Sequence, residues 1–353
     1  MRPRGLVALL VFCSLSHATH AGQCARAPLK LLAEDVSDEQ AELSGVVLLD
    51  GGRKLIAVSN EGLGPDGRAY MAQVFEGDPK DGYTHSHNER IYEPDGCKEA
   101  DFEALAQDDD TLFVIGSHSQ NRKKQNKNET RAENFRRLSA DGIDEDCKSR
   151  DKLRKFRLTD GEKVETLQKT SLRDLVDHHP VLKRFATLPN KENGIDIEGL
   201  AVFDGALFVG FRGPVLRENY VPVLRLPTDL DRIEPDGESD GALFVNLGGR
   251  GIRDLAPGPL EEKALYILAG PNGDEKQNFA IYRWDGRDQL GGNGHEPDIR
   301  QPLCEIDLTD EDKRTKHKPE GLAYLDRTPS ALRFVLVHDG EVELKAEIIT
   351  IRE

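Results

Sequence analysis

Several familiar sites are missing from this sequence. There is no Gly-x-Ser-x-Gly elbow, no His-Glu-x-x-His and no phosphate-binding loop. No two cysteines stand as Cys-x-x-Cys, which argues against a zinc knuckle or a thioredoxin-like redox pair. The acidic stretches 192–196 and 144–151 lack the spacing of an EF-hand. Beyond the first 21 residues, no segment is long and apolar enough to cross a membrane. Cations are also in deficit. The net charge is −16, which disfavours nucleic acid as the main partner and leaves room for a bound cation.

The N-terminus has what an export signal needs. Arg2 and Arg4 precede an apolar run from Gly5 to Leu15, and small residues lead to Ala21. This is a basic region, a short apolar region and a small-x-small cleavage site. Cleavage after Ala21 removes two Arg and no acid, leaving a mature chain of −18 in the periplasm or outside the cell. Cys13 leaves with the leader. Cys24, Cys97, Cys147 and Cys304 remain, an even number in an oxidising compartment. Three pairings are open. Cys97–Cys147 is preferred, because it would tether a charged insertion to its own blade.

The remainder, 22–353, reads as one domain of repeats. Five segments share a grammar: 43–62, 101–119, 196–214, 253–273 and 319–340. Each has a short strand with a polar signature, a Gly/Asp turn, and an apolar strand ending in polar residues. Apolar runs this short between turn formers make strands and not helices. Two further strand candidates usually follow each pair, among them 71–77, 88–94 and 221–226. The last unit lacks a fourth strand, which 27–34 would supply beside 346–353, closing the ring. The expected fold is therefore an all-β propeller of five blades, each of four antiparallel strands. Six blades is the alternative, because the gap from 119 to 196 is long. That gap is read as a charged loop insertion at 120–150 and a short helical insertion at 171–185, with Ser171 as N-cap and Pro180 ending the helix.

The stretch DIEGLAVFDGALFVGFRGPVLRENYVPVLRL (196–226) resembles a bacterial family of exported proteins known as domain of unknown function 3616. The segments Asp101–Ala106 and Glu320–Ala323 fit the same resemblance, which covers most of the mature chain. Its EGLA element is similar to pieces of phytase-like esterases and other propellers. The resemblance implies a propeller-like β-fold and export, and no established activity or catalytic residue.

Radial geometry brings the loop entering the first strand of each blade and the loop leaving the second to one channel mouth. The rim so defined holds Asn60 and Glu61; Asp101, Glu103 and His118; Asp196, Glu198 and Arg212; Arg250, Arg253, Asp254 and Asn272; Glu320, His338 and Asp339. Glu61, Glu103, Glu198 and Glu320 are the metal candidates, since oxygen ligands suit Ca2+. The alternative is that each such Glu accepts backbone hydrogen bonds and holds blades together. Arg212 either grips an anion or pairs with Asp196 or Glu198. His118 and His338 are candidate acid–base groups, or plain rim residues. Asn60, Arg250, Arg253, Asn272 and Asp339 are assigned to ligand contact. His178 and His179 are expected to be exposed. The basic run from Arg122 to Arg137 either steers an anionic ligand or is a solvated loop. The functions in competition are a cation-dependent ester or phosphoester hydrolase, a binder of a small or anionic ligand, and a scaffold using its outer faces.

Overall fold

The computed structural model describes residues 22–33, 41–62, 69–92, 100–139, 150–159, 163–234, 241–273, 277–292, 301–340 and 343–353. The leader and the Cys97–Cys147 pair lie outside these residues.

The chain enters through β1 (Ala25–Leu29) and β2 (Leu31–Leu32). Blade 1 is β3 (Leu43–Leu49), β4 (Lys54–Ser59), β5 (Tyr70–Asp78) and β6 (Gly82–Tyr92). Blade 2 is β7 (Phe102–Asp108), β8 (Thr111–Gly116), β9 (Leu153–Arg157) and β10 (Glu165–Thr170). Blade 3 is β11 (Asp196–Phe203), β12 (Ala206–Gly213), β13 (Tyr220–Pro227) and β14 (Ala242–Asn246). Blade 4 is β15 (Gly251–Pro257), β16 (Leu265–Gly270), β17 (Phe279–Trp284) and β18 (Cys304–Ile306). Blade 5 is β19 (Lys318–Thr328), β20 (Ala331–Asp339) and β21 (Ala346–Arg352), completed by β1. The protein is thus a five-bladed propeller of four-stranded antiparallel blades. Neighbouring blades cover both faces of the second strands, so β8, β12 and β16 are buried at every position. That is why they read as unbroken apolar runs rather than alternating ones.

The N-terminal segment does more than close the ring. Cys24 is disulfide-bonded to Cys304 at the start of β18, and its N–H donates to Glu305 O at 2.9 Å. Then β1 pairs with β21, Ala25 opposite Thr350 and Leu29 opposite Ala346. Next, β2 runs parallel to β6 at Tyr83 and Thr84. The expected closing strand 27–34 is therefore split, its first part on blade 5 and its second on blade 1. Twelve described residues tie three successive blades together. Satisfying the open backbone groups of each sheet edge in turn favours this path.

Four local readings change. The last strand of blade 1 starts at Gly82 and not at Asn88, because an outer strand tolerates the polar face that 84–88 presents. The charged insertion contains α1 (Arg131–Leu138), closed by a Thr130/Glu133 capping box. The second insertion forms α2 (Arg173–His178), with Leu172, Leu175 and Val176 buried as expected. Its N-cap is Leu172, while Ser171 Oγ one position earlier accepts from Arg173 N at 3.1 Å. His179 is buried, not exposed, and its Nδ1 accepts from Val181 N and Leu182 N at 3.2 Å each. A third helix, α3 (Asp310–Thr315), precedes blade 5. No helix among the described residues is long and apolar enough to cross a membrane.

Candidate functional site

The innermost strands β3, β7, β11, β15 and β19 adjoin one another in turn around the axis. Each is interrupted at the same place. Register shifts occur between Leu43 and Gly45, Phe102 and Ala104, Ile197 and Gly199, Ile252 and Asp254, and Pro319 and Gly321. The residue left unpaired is Ser44, Glu103, Glu198, Arg253 and Glu320 respectively. A bulge re-aims the side chain of its extra residue. Here it does so once per blade and sets a five-membered ring of side chains about the axis.

The next position explains the glycine of the EGLA element. A Cβ on Gly45 would lie 2.7 Å from Leu105 N, and one on Gly321 2.9 Å from Ser44 O. Adjacent inner strands pass too closely there for a side chain. Blade 4 has Asp254 instead. Its carboxylate accepts from Leu322 N at 2.7 Å and from Leu255 N at 2.8 Å, so it links its strand to the next blade.

Half of the ring is charge-paired. Arg253 Nη1 lies 2.8 Å from Glu198 Oε2 and 2.6 Å from Glu320 Oε2, spanning blades 3 to 5. The other oxygen of Glu198 meets Arg212, whose second nitrogen bonds Asp196. All five side chains are buried. Burial raises the Glu198 carboxyl, but Arg212 and Arg253 outweigh it and hold the group below the usual range. Burial dominates at Asp196, pushed up to about 6 against the pull of Arg212, and at Glu320, pushed up to about 7 against Arg253.

The opposite half is paired less: Asp101 lies 3.8 Å from Arg150 Nε, and Glu103 meets no cation at ion-pair distance among the described residues. In a ring of five, the place facing blade 4 is the junction of blades 1 and 2. Ser44 stands there, 1 % exposed, its Oγ without a hydrogen-bond partner among the described residues. Glu103 is held well above the carboxylate range by burial and by neighbouring Asp101 and Glu198. Asp101 hydrogen-bonds Glu103 and accepts from Ser117 Oγ, which is 2.9 Å from Ser119 Oγ. Burial raises Asp101 as well, so both carboxyls of this half lie above the usual range.

Above the paired half lies Lys191, in the turn Asn190–Glu192 that leads into β11. The residue is exposed. It lies within electrostatic reach of Arg212, Asp196, Arg253 and Glu198, and desolvation together with the two arginines lowers its pKa. It has no ion-pair partner among the described residues. The charged insertion abuts this turn: Asn190 N donates to Gln120 O at 2.8 Å, and Arg122 pairs with Glu192.

The expected rim residues separate into two groups. Glu103, Glu198, Glu320, Arg212 and Arg253 converge. Asp339 adjoins them, raised by burial and within electrostatic reach of Arg253 and Glu198. Asn272 borders the same cluster, its Nδ2 donating to Asn193 Oδ1 at 2.7 Å. His118 is not brought there. It is buried, with Nδ1 on Gly116 O at 2.8 Å and Nε2 accepting from Leu172 N at 3.1 Å. His338 turns outward to Glu347 at 3.0 Å, which also takes Arg26 at 2.8 Å. Arg250 reaches Asn278 O, Tyr282 and Glu305 on the outer part of blade 4. Asn60 and Glu61 follow β4, with Glu61 exposed and within electrostatic reach of Arg150.

Arg212 joins the cluster for a reason the histidines lack. Asp196 pairs with Gly213 and Ile197 with Phe211, so Arg212 is itself left out of the ladder and re-aimed. His338 pairs regularly with Pro319. Among the described residues, no three His, Cys, Asp or Glu are grouped to hold a metal ion, and arginines take the oxygens of Glu198 and Glu320.

The sequence matches the family described as protein of unknown function (DUF3616) over residues 87–347. No curated protein matches the chain. Among solved structures, it is similar to a mannose phosphorylase from Leishmania mexicana at 12 % identity, covering 94 % of this chain and 89 % of that one, with a TM-score of 0.45. It is also similar to an endo-arabinanase from Bacillus licheniformis at 10 % identity, covering 89 % and 95 %, with a TM-score of 0.40. An exo-β-1,3-galactanase from Phanerochaete chrysosporium is similar at 6 % identity and a TM-score of 0.44; the match covers 93 % of this chain and 64 % of that longer one.

Proposed function

We propose, from the premise that the chain belongs to the family of proteins of unknown function DUF3616, that it is an exported propeller binding a small anionic ligand at its channel mouth. Lys191 carries this reading. An ammonium with no partner among the described residues stands over a floor whose carboxylates are already compensated by Arg212 and Arg253. An arriving anion meets a cation first and finds the buried acids shielded. Export rests on the basic and apolar leader, and the Cys24–Cys304 disulfide accords with an oxidising compartment.

The floor also titrates. As pH falls through about 7 and about 6, Glu320 and Asp196 take up protons. The mouth becomes more positive, so anion affinity rises by linkage. Sulfate is the probe of choice, because its charge is constant over this range. Sulfate is expected to raise the melting temperature by mass action, more at pH 5.5 than at pH 8. Lys191→Met is expected to weaken sulfate binding about tenfold, or about 1.4 kcal/mol. An unchanged sulfate response in Lys191→Met removes the reading.

Hydrolysis of an anionic ester at the same mouth is a second reading, favoured by one observation. Glu103 adjoins Asp101, and burial with the neighbouring acids raises its carboxyl, the direction a general acid needs. Glu103→Gln should then lower turnover of an anionic alkyl ester by roughly a hundredfold or more, and of its p-nitrophenyl counterpart much less, while leaving sulfate binding intact. No turnover by the wild-type protein leaves binding alone.

A further inference from the structure

The disulfide at the ring's closure joins the two cysteines that the unfolded chain brings together least often. Cys24 and Cys304 are 280 residues apart, and Cys97 and Cys147 lie between them in sequence. Of the pairs that these four thiols allow, the native one closes the longest loop. The probability of closing a flexible loop falls as roughly the −3/2 power of its length. In the reduced, unfolded chain Cys24 therefore meets Cys97 about seven times as often as it meets Cys304. By the same scaling, bonds that engage Cys24 or Cys304 wrongly take about half of all first pairings.

The order of synthesis adds to this bias. Cys24, Cys97 and Cys147 emerge before Cys304. What places Cys24 beside Cys304 is made later still. The Cys24 N–H donates to Glu305 O at 2.9 Å, and the Glu305 N–H donates to Gly22 O at 3.0 Å. Then β1 lies along β21, Ala25 opposite Thr350. These contacts need the last strand of blade 4 and the last strand of blade 5, so the native pair is a product of ring closure.

Closure also seals the bond. Cys24 and Cys304 are 8 % and 3 % exposed and share one apolar cluster with Ile306, Leu322 and Ile349. Thiol–disulfide exchange needs a thiolate to reach a sulfur, and none reaches this pair from solvent. A wrong bond at Cys24 or Cys304 must therefore be undone before the ring closes, while the N-terminal segment is still free.

We infer that the protein matures with a thiol–disulfide isomerase as partner, which acts on the open chain and moves Cys24 and Cys304 out of wrong bonds and onto each other. This rests on the export reading, since it needs an oxidising compartment. In the first step two thiols, such as those of Cys24 and Cys97, pass two electrons and two protons to a protein disulfide oxidase. The isomerase thiolate then attacks Cys24 Sγ, a mixed disulfide forms, and Cys97 leaves as a thiolate. The Cys304 thiolate attacks the same Sγ and releases the isomerase thiolate. Each exchange makes one S–S bond and breaks one, with no net electron transfer.

The test oxidises the reduced, unfolded mature chain with oxidised glutathione, with and without a catalytic amount of reduced isomerase. Samples are quenched in acid, alkylated and mapped by peptide mass. Without isomerase, about half of the molecules should hold Cys24 or Cys304 in other bonds. With isomerase, the yield of Cys24–Cys304 should about double. Cys97→Ser with Cys147→Ser should reach the full yield unaided. Should that variant fail to fold, the wild-type bond map decides alone. Nearly complete Cys24–Cys304 pairing of the wild type without isomerase overturns the inference. So does a yield that isomerase leaves unchanged, or a folded double variant that still needs it. These outcomes do not touch export. A chain kept inside the cell with its leader intact overturns the export reading, and the inference with it, whatever the refolding shows.

Discussion

The two halves of the axial ring use one backbone device for opposite ends. On one side, bulged Glu198, Arg253 and Glu320 interlock across three blades, and Arg212 extends the network to Asp196. On the other, bulged Ser44 has a hydroxyl without a partner among the described residues, and burial with the neighbouring acids raises the Glu103 carboxyl beside Asp101. A buried carboxylate survives either by meeting a guanidinium or by staying protonated. The paired half spends its charges on holding blades in place. The unpaired half keeps its chemistry in reserve. One ring can therefore hold interlocked and solitary side chains at the same axial depth, because each blade contributes one bulged residue.

The sharpest way to break this contrast is to remove the cation of the paired half. Arg253→Met leaves Glu198 and Glu320 buried with less compensation, and breaking a buried pair from one side typically costs about 3–5 kcal/mol. Urea unfolding at pH 8 should show a loss of that order. At pH 5 the loss should shrink, because Glu320, with its carboxyl at about 7, is then neutral. A loss smaller than about 1 kcal/mol at pH 8 would mean that the network is ornamental to stability.

Glu103→Gln probes the other half and should act in the opposite direction. The sign follows from linkage. Folding raises the Glu103 carboxyl, so above the ordinary carboxyl range the unfolded chain has released its proton while the folded chain still holds it. Stability is then complete at low pH and falls as pH rises. Glutamine removes this dependence, so the variant should be more stable than wild type at pH 8 and similar at pH 4. Asp196 and Glu320, both raised, keep part of the downward trend in either protein.

Much of this contrast is visible in the chain itself. The paired strands stand out because burial on both faces gives short unbroken apolar runs, and Glu103, Glu198 and Glu320 stand out because EGLA-like segments repeat. Ser44 carries no acidic signature. Its signal is the following glycine: Ser44-Gly45 occupies the place of Glu198-Gly199 and Glu320-Gly321. The capping box Thr130-x-x-Glu133 likewise marks α1 inside the charged insertion. Other features leave no local trace. Whether Arg212 or His338 turns to the axis depends on a bulge in β12 that β20 lacks at that point, and pairing register is a property of two strands. Lys191 belongs to no repeat, and only the fold brings its turn to the mouth.

The smallest expected effect comes from Ser44→Ala, and it is the most discriminating. A buried hydroxyl that forms no hydrogen bond contributes only its desolvation penalty, so truncation should be neutral or stabilising, within about 0.5 kcal/mol of wild type. The same change at a paired ring position would be costly, though the backbone geometry is equivalent. The comparison thus isolates side-chain partnership from the bulge itself. If Ser44→Ala destabilises by about 2 kcal/mol or more, the hydroxyl has a partner, such as an ordered water bridging to Glu103. In that case Ser44→Ala and Glu103→Gln should be non-additive in a double-mutant cycle. Additive effects, with Ser44→Ala near zero, would confirm that this half of the ring is held together by the blades around it and not by its own polar groups.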